Sequence, residues 1–178
     1  MYRLIAIAAL MLATCFTALA EEASAPDCAP SGEYGFVCGL QNAEDLVQVP
    51  GTQWIIASSM APGVPLYLID ASAKTWGAFY PGTSGKAQPD TERFADCPGP
   101  PDTSKWVTHG LSLQPGSGGN STLYVVSHGG REAIEVFDVV VNGDQPQLVW
   151  IGCLLTPEGM QANSVASRPD GSLLITIP

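Results

Sequence analysis

The chain of 178 residues carries 17 acidic and 7 basic side chains, which gives a formal net charge of −10 at pH 7. Contacts to phosphates need clustered Lys and Arg, so this balance argues against nucleic acid as a partner. A metal cation is a more natural partner for an excess of carboxylates, although the same excess also suits the plain solubility of an exported protein.

Residues 1–20 have the layout of a secretory signal peptide. Arg3 precedes an apolar run, and the small residues Ala18 and Ala20 follow it, which predicts cleavage after Ala20. The run is short for a membrane span, and no later segment approaches the roughly 20 apolar residues that a span needs. We therefore expect a secreted or periplasmic mature chain without a transmembrane segment. A lipid anchor at Cys15 is the weaker alternative.

Four cysteines remain in the mature chain, and their spacing lacks the short pairs that are typical of a zinc site. They are Cys28, Cys38, Cys97 and Cys153. In an oxidising compartment they predict disulfides. Four cysteines allow three pairings, and the sequence leaves the choice among them open.

Short runs of β-branched and aromatic residues, bounded by Pro, Gly, Asp and Ser, recur along the mature chain, whereas helical periodicity is hard to find there. The pattern predicts an all-β protein. In chain order the candidate strands are DLVQV, QWIIASS, PLYLID, TWGAFY, HGLSLQ, TLYVVSH, AIEVFDVVV, QLVWIGCLL, NSVASR and SLLITI.

Three segments of this strand pattern are similar to one another, and they begin at Glu44, His109 and Asn163. Each starts with a polar residue, alternates through a strand, reaches a proline at the same offset, turns on glycine and resumes in an aliphatic strand. The first two continue into two further strands before the unit recurs. Four antiparallel strands per unit, at this spacing, predict the blades of a β-propeller.

The predicted organisation is an incomplete β-propeller of about two blades and a hairpin. Residues 21–43 form an N-terminal segment, 44–108 a blade with a long loop, 109–162 a second blade, and 163–178 the start of the next. Because propellers usually close with about four to eight blades, we interpret the chain as the N-terminal half of a longer propeller. Self-assembly of half propellers is the alternative.

The long loop, from Ser84 to Trp106, is rich in Pro, Asp and Ser. Phe94 and Trp106 offer apolar contacts that would suit a substrate lid. The simpler interpretation, which we favour, is that both aromatics anchor the loop against a blade.

The chain has two histidines, and both fall in the second blade, His109 at the start of its first strand and His128 at the end of its second. Antiparallel pairing places them at one end of the blade. Glu44, with Asp45 beside it, and Asn163 start the corresponding strands of the other units. Oxygen ligands of this kind suit Ca²⁺, and neutral imidazoles take a proton from water near physiological pH. The alternative is that each is an ordinary turn residue or structural histidine.

These residues resemble a known family, the six-bladed calcium propellers of the paraoxonase and arylesterase type, whose wider relatives are the gluconolactonase and strictosidine synthase-like proteins. The resemblance covers residues 44–176. NAEDLVQVPGTQWIIAS is similar to the family's Glu-Asp segment, HGLSLQ with LYVVSHGGREAIEVF to its histidine dyad, and ANSVASRPDGSLLIT to the segment whose Asn binds the catalytic calcium.

The resemblance implies two calcium sites. Glu44 and Asn163 would be ligands of the catalytic ion, and Asp45 and the carbonyl of Leu111 ligands of a structural ion. The family often carries Asp after the metal-binding Asn, where this chain has Ser164. The other ligands of the catalytic calcium come from later blades in the family.

A cysteine near the N-terminus also closes the ring in that family, by pairing with one near the C-terminus. Cys28 or Cys38 would take this part only in a longer chain.

The resemblance makes His109 the general base and His128 its supporting partner in the calcium-dependent hydrolysis of a lactone or aryl ester. A serine hydrolase is disfavoured, because the sequence has no G-x-S-x-G elbow. The competing function is a noncatalytic propeller that binds a small ligand or a protein at the same rim, since fold alone does not fix function.

Overall fold

The computed structural model describes residues 28–82 and 85–178, so the predicted signal peptide and Cys15 lie outside the described residues. The described part of the chain is all-β, with antiparallel sheets and one short 3₁₀ turn at Ser117–Gly119. None of its helical segments has the length and apolar character needed to cross a membrane.

The strands form two larger sheets and a hairpin. In chain order they are β1 (Ala43–Gln48), β2 (Trp54–Ser59), β3 (Leu66–Asp70), β4 (Thr75–Tyr80), β5 (Gly85–Ala87), β6 (Val107–Pro115), β7 (Ser121–His128), β8 (Ala133–Val140), β9 (Gln147–Leu155), β10 (Ser164–Ser167) and β11 (Leu173–Thr176). The first sheet has the order β1-β2-β3-β4, the second β6-β7-β8-β9-β5, and β10 pairs with β11. The predicted four-stranded antiparallel units are thus present.

Strand β5 was not predicted from the sequence. It pairs in parallel with β9, with Lys86 opposite Val149, at the outer edge of the second sheet. The sequence predicts a loop there, because Gly-Lys-Ala has no strand-forming pattern of its own. Backbone pairing with β9 makes it a strand.

The turns of the first and third hairpins each contain a proline followed closely by a glycine of positive φ. Gly51 follows Pro50 with φ of 72°, and Gly171 lies two residues after Pro169 with φ of 83°. The amide of Val49 donates to the carbonyl of Trp54 across the first of these turns, at 2.9 Å. A left-handed backbone at these positions is accessible to glycine at little cost, which explains the repeated pattern.

The second sheet is buried on both faces, because alternate side chains of its strands point in opposite directions. One face packs against the first sheet, and the other packs against β10 and the long loop. Burying a large apolar side chain stabilises a fold by about 1.5–3 kcal/mol. Members of the first core include Ile56, Leu68, Phe79, Leu123, Phe137 and Trp150; members of the second include Phe94, Tyr124, Val126, Ile134, Ile151 and Val165.

The long loop is anchored rather than open. Phe94 and Trp106 are 8% and 1% exposed, and the indole of Trp106 donates to the carbonyl of Val64, in the loop between β2 and β3, at 3.1 Å. A disulfide joins Cys97 of the loop to Cys153 of β9. The anchoring role that the sequence favoured for both aromatics is confirmed.

The second disulfide joins Cys28 to Cys38. This pairing leaves neither cysteine for the ring-closing role that the resemblance implied. Two disulfides are compatible with an extracellular location.

A buried ion pair ties the second sheet to the same loop. Glu135 is fully buried, and its two carboxylate oxygens accept hydrogen bonds from Nε and Nη2 of Arg131, both at 2.8 Å. The indole of Trp150 donates to the same carboxylate at 2.8 Å, and Nη1 of Arg131 donates to the carbonyl of Gly99 at 2.8 Å. The pair therefore fixes the turn between β7 and β8 against β9 and the loop.

Candidate functional site

Three strands from three different sheets lie side by side, with β6 in contact with both β1 and β10. Their starts are at the same end of the protein. Oε1 of Glu44 is 3.3 Å from Nε2 of His109, and the amide of Gly110 donates to the carbonyl of Asn163 at 3.3 Å. The structure therefore brings together the segments that the sequence aligned as equivalent strand starts.

Strands β1 and β6 each have an irregular register at this end. The shift lies between Ala43 and Leu46 in β1, and between Thr108 and Leu111 in β6. Bulges of this kind turn side chains away from the regular alternation, and they are common beside functional sites. Glu44 and His109 both lie within the irregular segments.

The two imidazoles are neighbours. Their ring centroids are 5.7 Å apart with an angle of 61° between the planes. The side chains are mostly covered, at 15% exposure for His109 and 18% for His128. The contact between His109 and Glu44 is longer than the usual 2.7–3.2 Å of an N–H···O hydrogen bond. Nδ1 of His128, in contrast, is 2.6 Å from Oε2 of Glu132.

Both histidines line an open cavity of about 320 Å³, and Asn163 lines it as well. The rest of its wall is largely apolar. Its other lining residues are Met60, Val107, Gln161, Ala162 and Pro178. An imidazole at the wall of such a cavity can take a proton from water held there.

Asn163 is placed by its backbone. Its amide donates to the carbonyl of Thr176 on β11 at 2.8 Å, while its carbonyl accepts from Gly110. A Cβ atom at Gly110 would lie 2.7 Å from Cα of Ser164 and 2.9 Å from the carbonyl oxygen of Asn163. The absence of a side chain at Gly110 therefore permits the close approach of β6 and β10.

Asp45 and Leu111 are also brought together, through a contact that the sequence did not predict. Oδ2 of Asp45 accepts a hydrogen bond from the amide of Leu111 at 2.8 Å, whereas the resemblance implied a shared cation at the Leu111 carbonyl. Oδ1 of Asp45 accepts from the amide of Leu46 at 2.8 Å. Asp45 thus ties β1 to β6 through Oδ2, while Oδ1 holds the backbone of β1 itself.

The ligand types present suit calcium, but too few ligands are present to complete a calcium site. Glu44, beside His109, and Asn163, in the cavity wall, carry side-chain oxygens, and Ca²⁺ takes six to eight oxygen ligands. Within residues 28–82 and 85–178 there is no group of three or more His, Cys, Asp or Glu side chains able to hold a metal ion. Further ligands would be needed to complete a site built on Glu44 and Asn163.

Sequence reasoning missed Glu132 and the apolar wall of the cavity. The predicted site residues lie at or beside strand ends, whereas Glu132 lies in the short turn between β7 and β8. A carboxylate four residues after a strand-ending histidine, across a Gly-Gly turn, was the available signal. Met60 follows the last residue of β2 and carries no signal of its own.

The chain matches no protein-family model and no curated protein. Roles for the site residues therefore rest on the geometry above and on the resemblance of the motifs.

Proposed function

We propose that the chain belongs to an exported, calcium-dependent β-propeller hydrolase of the paraoxonase and arylesterase type, which acts on small lactones or aryl esters. Two four-stranded antiparallel units followed by a hairpin, packed face to face with their first strands side by side, support the propeller interpretation.

The observation that carries the proposal is that His109, His128 and Asn163 line one cavity, while Glu44 lies 3.3 Å from His109. These residues come from three sheets and are far apart in sequence. In the proposed reaction His109 takes a proton from water, and His128 supports it. The shallow, largely apolar cavity accommodates the organic part of an ester.

Glu44 and Asn163 would hold the catalytic calcium, with further ligands from the later blades that the resemblance implies. Bound calcium supplies polarisation of the carbonyl oxygen. Asp45, with Leu111, would serve the structural ion only if the hydrogen bonds of its carboxylate were rearranged. Without a second ion, the hydrogen bond from the Leu111 amide to Asp45 already joins β1 to β6.

The test is hydrolysis of a panel of lactones and aryl esters by the complete secreted protein, before and after chelation with EDTA. We expect activity that chelation removes and added Ca²⁺ restores. His109→Gln should lower kcat by about 10²- to 10⁴-fold, the usual contribution of a general base, without preventing calcium binding. Activity indifferent to EDTA, or an unchanged rate in His109→Gln, would contradict the mechanism.

Matched variants distinguish a loss of calcium binding from a general loss of folded structure. Asn163→Ala should weaken calcium binding, measured by titration calorimetry. Asn142→Ala, in the exposed turn between β8 and β9, should leave calcium binding unchanged.

The second candidate is a noncatalytic propeller that binds a ligand at the same cavity. The apolar lining favours it, in particular Met60, which is 39% exposed. Saturable binding of an apolar ester without turnover, under conditions that include calcium, would support this candidate over the hydrolase.

A further inference from the structure

We propose that Glu132 is a positioning residue for His128, whose neutral ring it fixes in the tautomer with the proton on Nδ1. Nε2 then carries the lone pair. The importance of this arrangement for turnover rests on the proposed function, whereas the tautomer itself does not.

The contact has one chemical interpretation. An ionised carboxylate has no proton to donate, so a hydrogen bond of 2.6 Å between Oε2 of Glu132 and Nδ1 of His128 requires the proton on Nδ1. The second nitrogen of a neutral imidazole is then an acceptor. Side-chain exposures of 18% for His128 and 31% for Glu132 shield the bond from part of the competing water.

Glu132 is held in place by its backbone. Its carbonyl accepts hydrogen bonds from the amide of Thr156 at 3.1 Å and from Oγ1 of the same residue at 3.2 Å. At the other side of the turn, the amide of Gly130 donates to the carbonyl of His128 at 3.1 Å. The carboxylate therefore starts from a fixed main chain, which is what a positioning residue needs.

The neighbouring cation does not compete for Glu132. Arg131 is adjacent in sequence, but its guanidinium is bound to Glu135 and to the carbonyl of Gly99. Among the residues that the structure describes, His128 is the basic side chain that lies within 4.0 Å of the Glu132 carboxylate. Glu132 is thus left to act on the imidazole alone.

Within the proposed reaction, this arrangement prepares His128 for its supporting part. A ring with its lone pair on Nε2 can accept a proton there, and the carboxylate on Nδ1 then stabilises the imidazolium that forms. The edge contact, with ring centroids 5.7 Å apart, makes this ring a direct neighbour of the base, His109. Orientation by a carboxylate on the far nitrogen is a general way to prepare a histidine for proton transfer.

The primary test is the proton position, read from two-bond ¹H–¹⁵N correlation spectra of the complete protein at a pH of about 8, where an ordinary imidazole is neutral. The signals of His128 are identified by their loss from the spectrum of His128→Gln. We expect the wild-type His128 proton on Nδ1. Glu132→Gln should shift the ring to a mixture of tautomers or to the Nε2–H form.

Kinetics give the second readout. Glu132→Gln should lower kcat by about 10- to 100-fold, as loss of an outer hydrogen-bond partner commonly does, with KM unchanged. Glu92→Gln is the matched control, because Glu92 is exposed in the long loop between β5 and β6. It should change neither the spectra nor kcat.

A wild-type His128 protonated on Nε2 would overturn the proposal, even if Glu132→Gln failed to fold. An unchanged tautomer and kcat in folded Glu132→Gln would overturn it as well. If the wild-type protein hydrolyses no ester or lactone, the proposed function fails, and the imidazole spectra still decide for or against the role of Glu132.

Discussion

The buried ion pair between Arg131 and Glu135 gives a prediction whose magnitude follows from the contacts. Glu135 is fully buried and accepts three hydrogen bonds of 2.8 Å, two from Arg131 and one from Trp150. Glu135→Gln keeps the shape of the side chain but removes the charge, and leaves a guanidinium that is 17% exposed without its counter-ion. Breaking a buried pair in this way costs about 3–5 kcal/mol.

Removing both charges should cost less. In the double variant Arg131→Met, Glu135→Leu, apolar side chains replace the pair, and such replacements are often neutral or stabilising. The indole of Trp150 then lacks an acceptor, which costs about 1–3 kcal/mol. We therefore expect the double variant to be more stable than Glu135→Gln alone.

The assay is urea unfolding at 25 °C and pH 7, followed by tryptophan fluorescence and far-UV circular dichroism together. Glu158→Gln, an exposed substitution of the same type, should stay within about 0.5 kcal/mol of wild type. A loss below about 1 kcal/mol for Glu135→Gln would refute the reasoning, because that is the range of exposed ion pairs rather than buried ones.

Two further predictions concern the strand junction and the pH dependence of stability. Gly110→Ala should destabilise the protein by about 1–3 kcal/mol in thermal unfolding, since its Cβ would lie 2.7 Å from a neighbouring backbone atom. Gly77→Ala is the control, because nothing lies within 4 Å of the added Cβ. An equal loss of stability in the two variants would contradict a steric role for the close approach at Gly110. Burial raises the pKa of Asp138 above its ordinary value of 3.8. The folded state therefore holds the Asp138 proton more tightly than the unfolded state does. As pH rises from the unfolded pKa through the folded pKa, the contribution of Asp138 to the free energy of unfolding falls, and it stays low at higher pH. Asp138→Asn should be more stable than wild type at pH 7 and should lose that advantage in acid; a constant difference across pH would contradict the assignment.

Strand positions followed from the sequence because they depend on local composition. Runs such as TLYVVSH and AIEVFDVVV are β-branched and aromatic, and turn residues bound them on both sides. Strand β5 depends instead on the backbone of β9, about 60 residues away, and three residues of Gly, Lys and Ala do not predict it. Disulfide pairing was open for the same reason, since it depends on which loops meet.

The sequence predicted the positions of those site residues that the repeat aligns. Equal offsets within equivalent units placed Glu44, His109 and Asn163 at one end, and the structure brings them there. The Asp45 contact was not predictable, because register shifts in β1 and β6 decide whether an amide or a carbonyl faces the carboxylate. The sequence pattern did not predict a role for Glu132, because the geometry of a short turn, rather than a strand period, brings its carboxylate to His128.

The parallel pairing of β5 has a consequence for contacts between copies of the protein. An edge strand with unpaired amides and carbonyls is a template for a strand from another molecule. Along β9 that template is already used. Gly85–Ala87 pair with it, and the amides of Gln88 and Asp90 go on to donate to the carbonyls of Trp150 and Ile151 at 2.9 and 2.8 Å. The outer margin of the second sheet is therefore a strand of 3 residues instead of the 9 of β9, and so short an edge is a poor template for intermolecular strand addition and the aggregation that would follow.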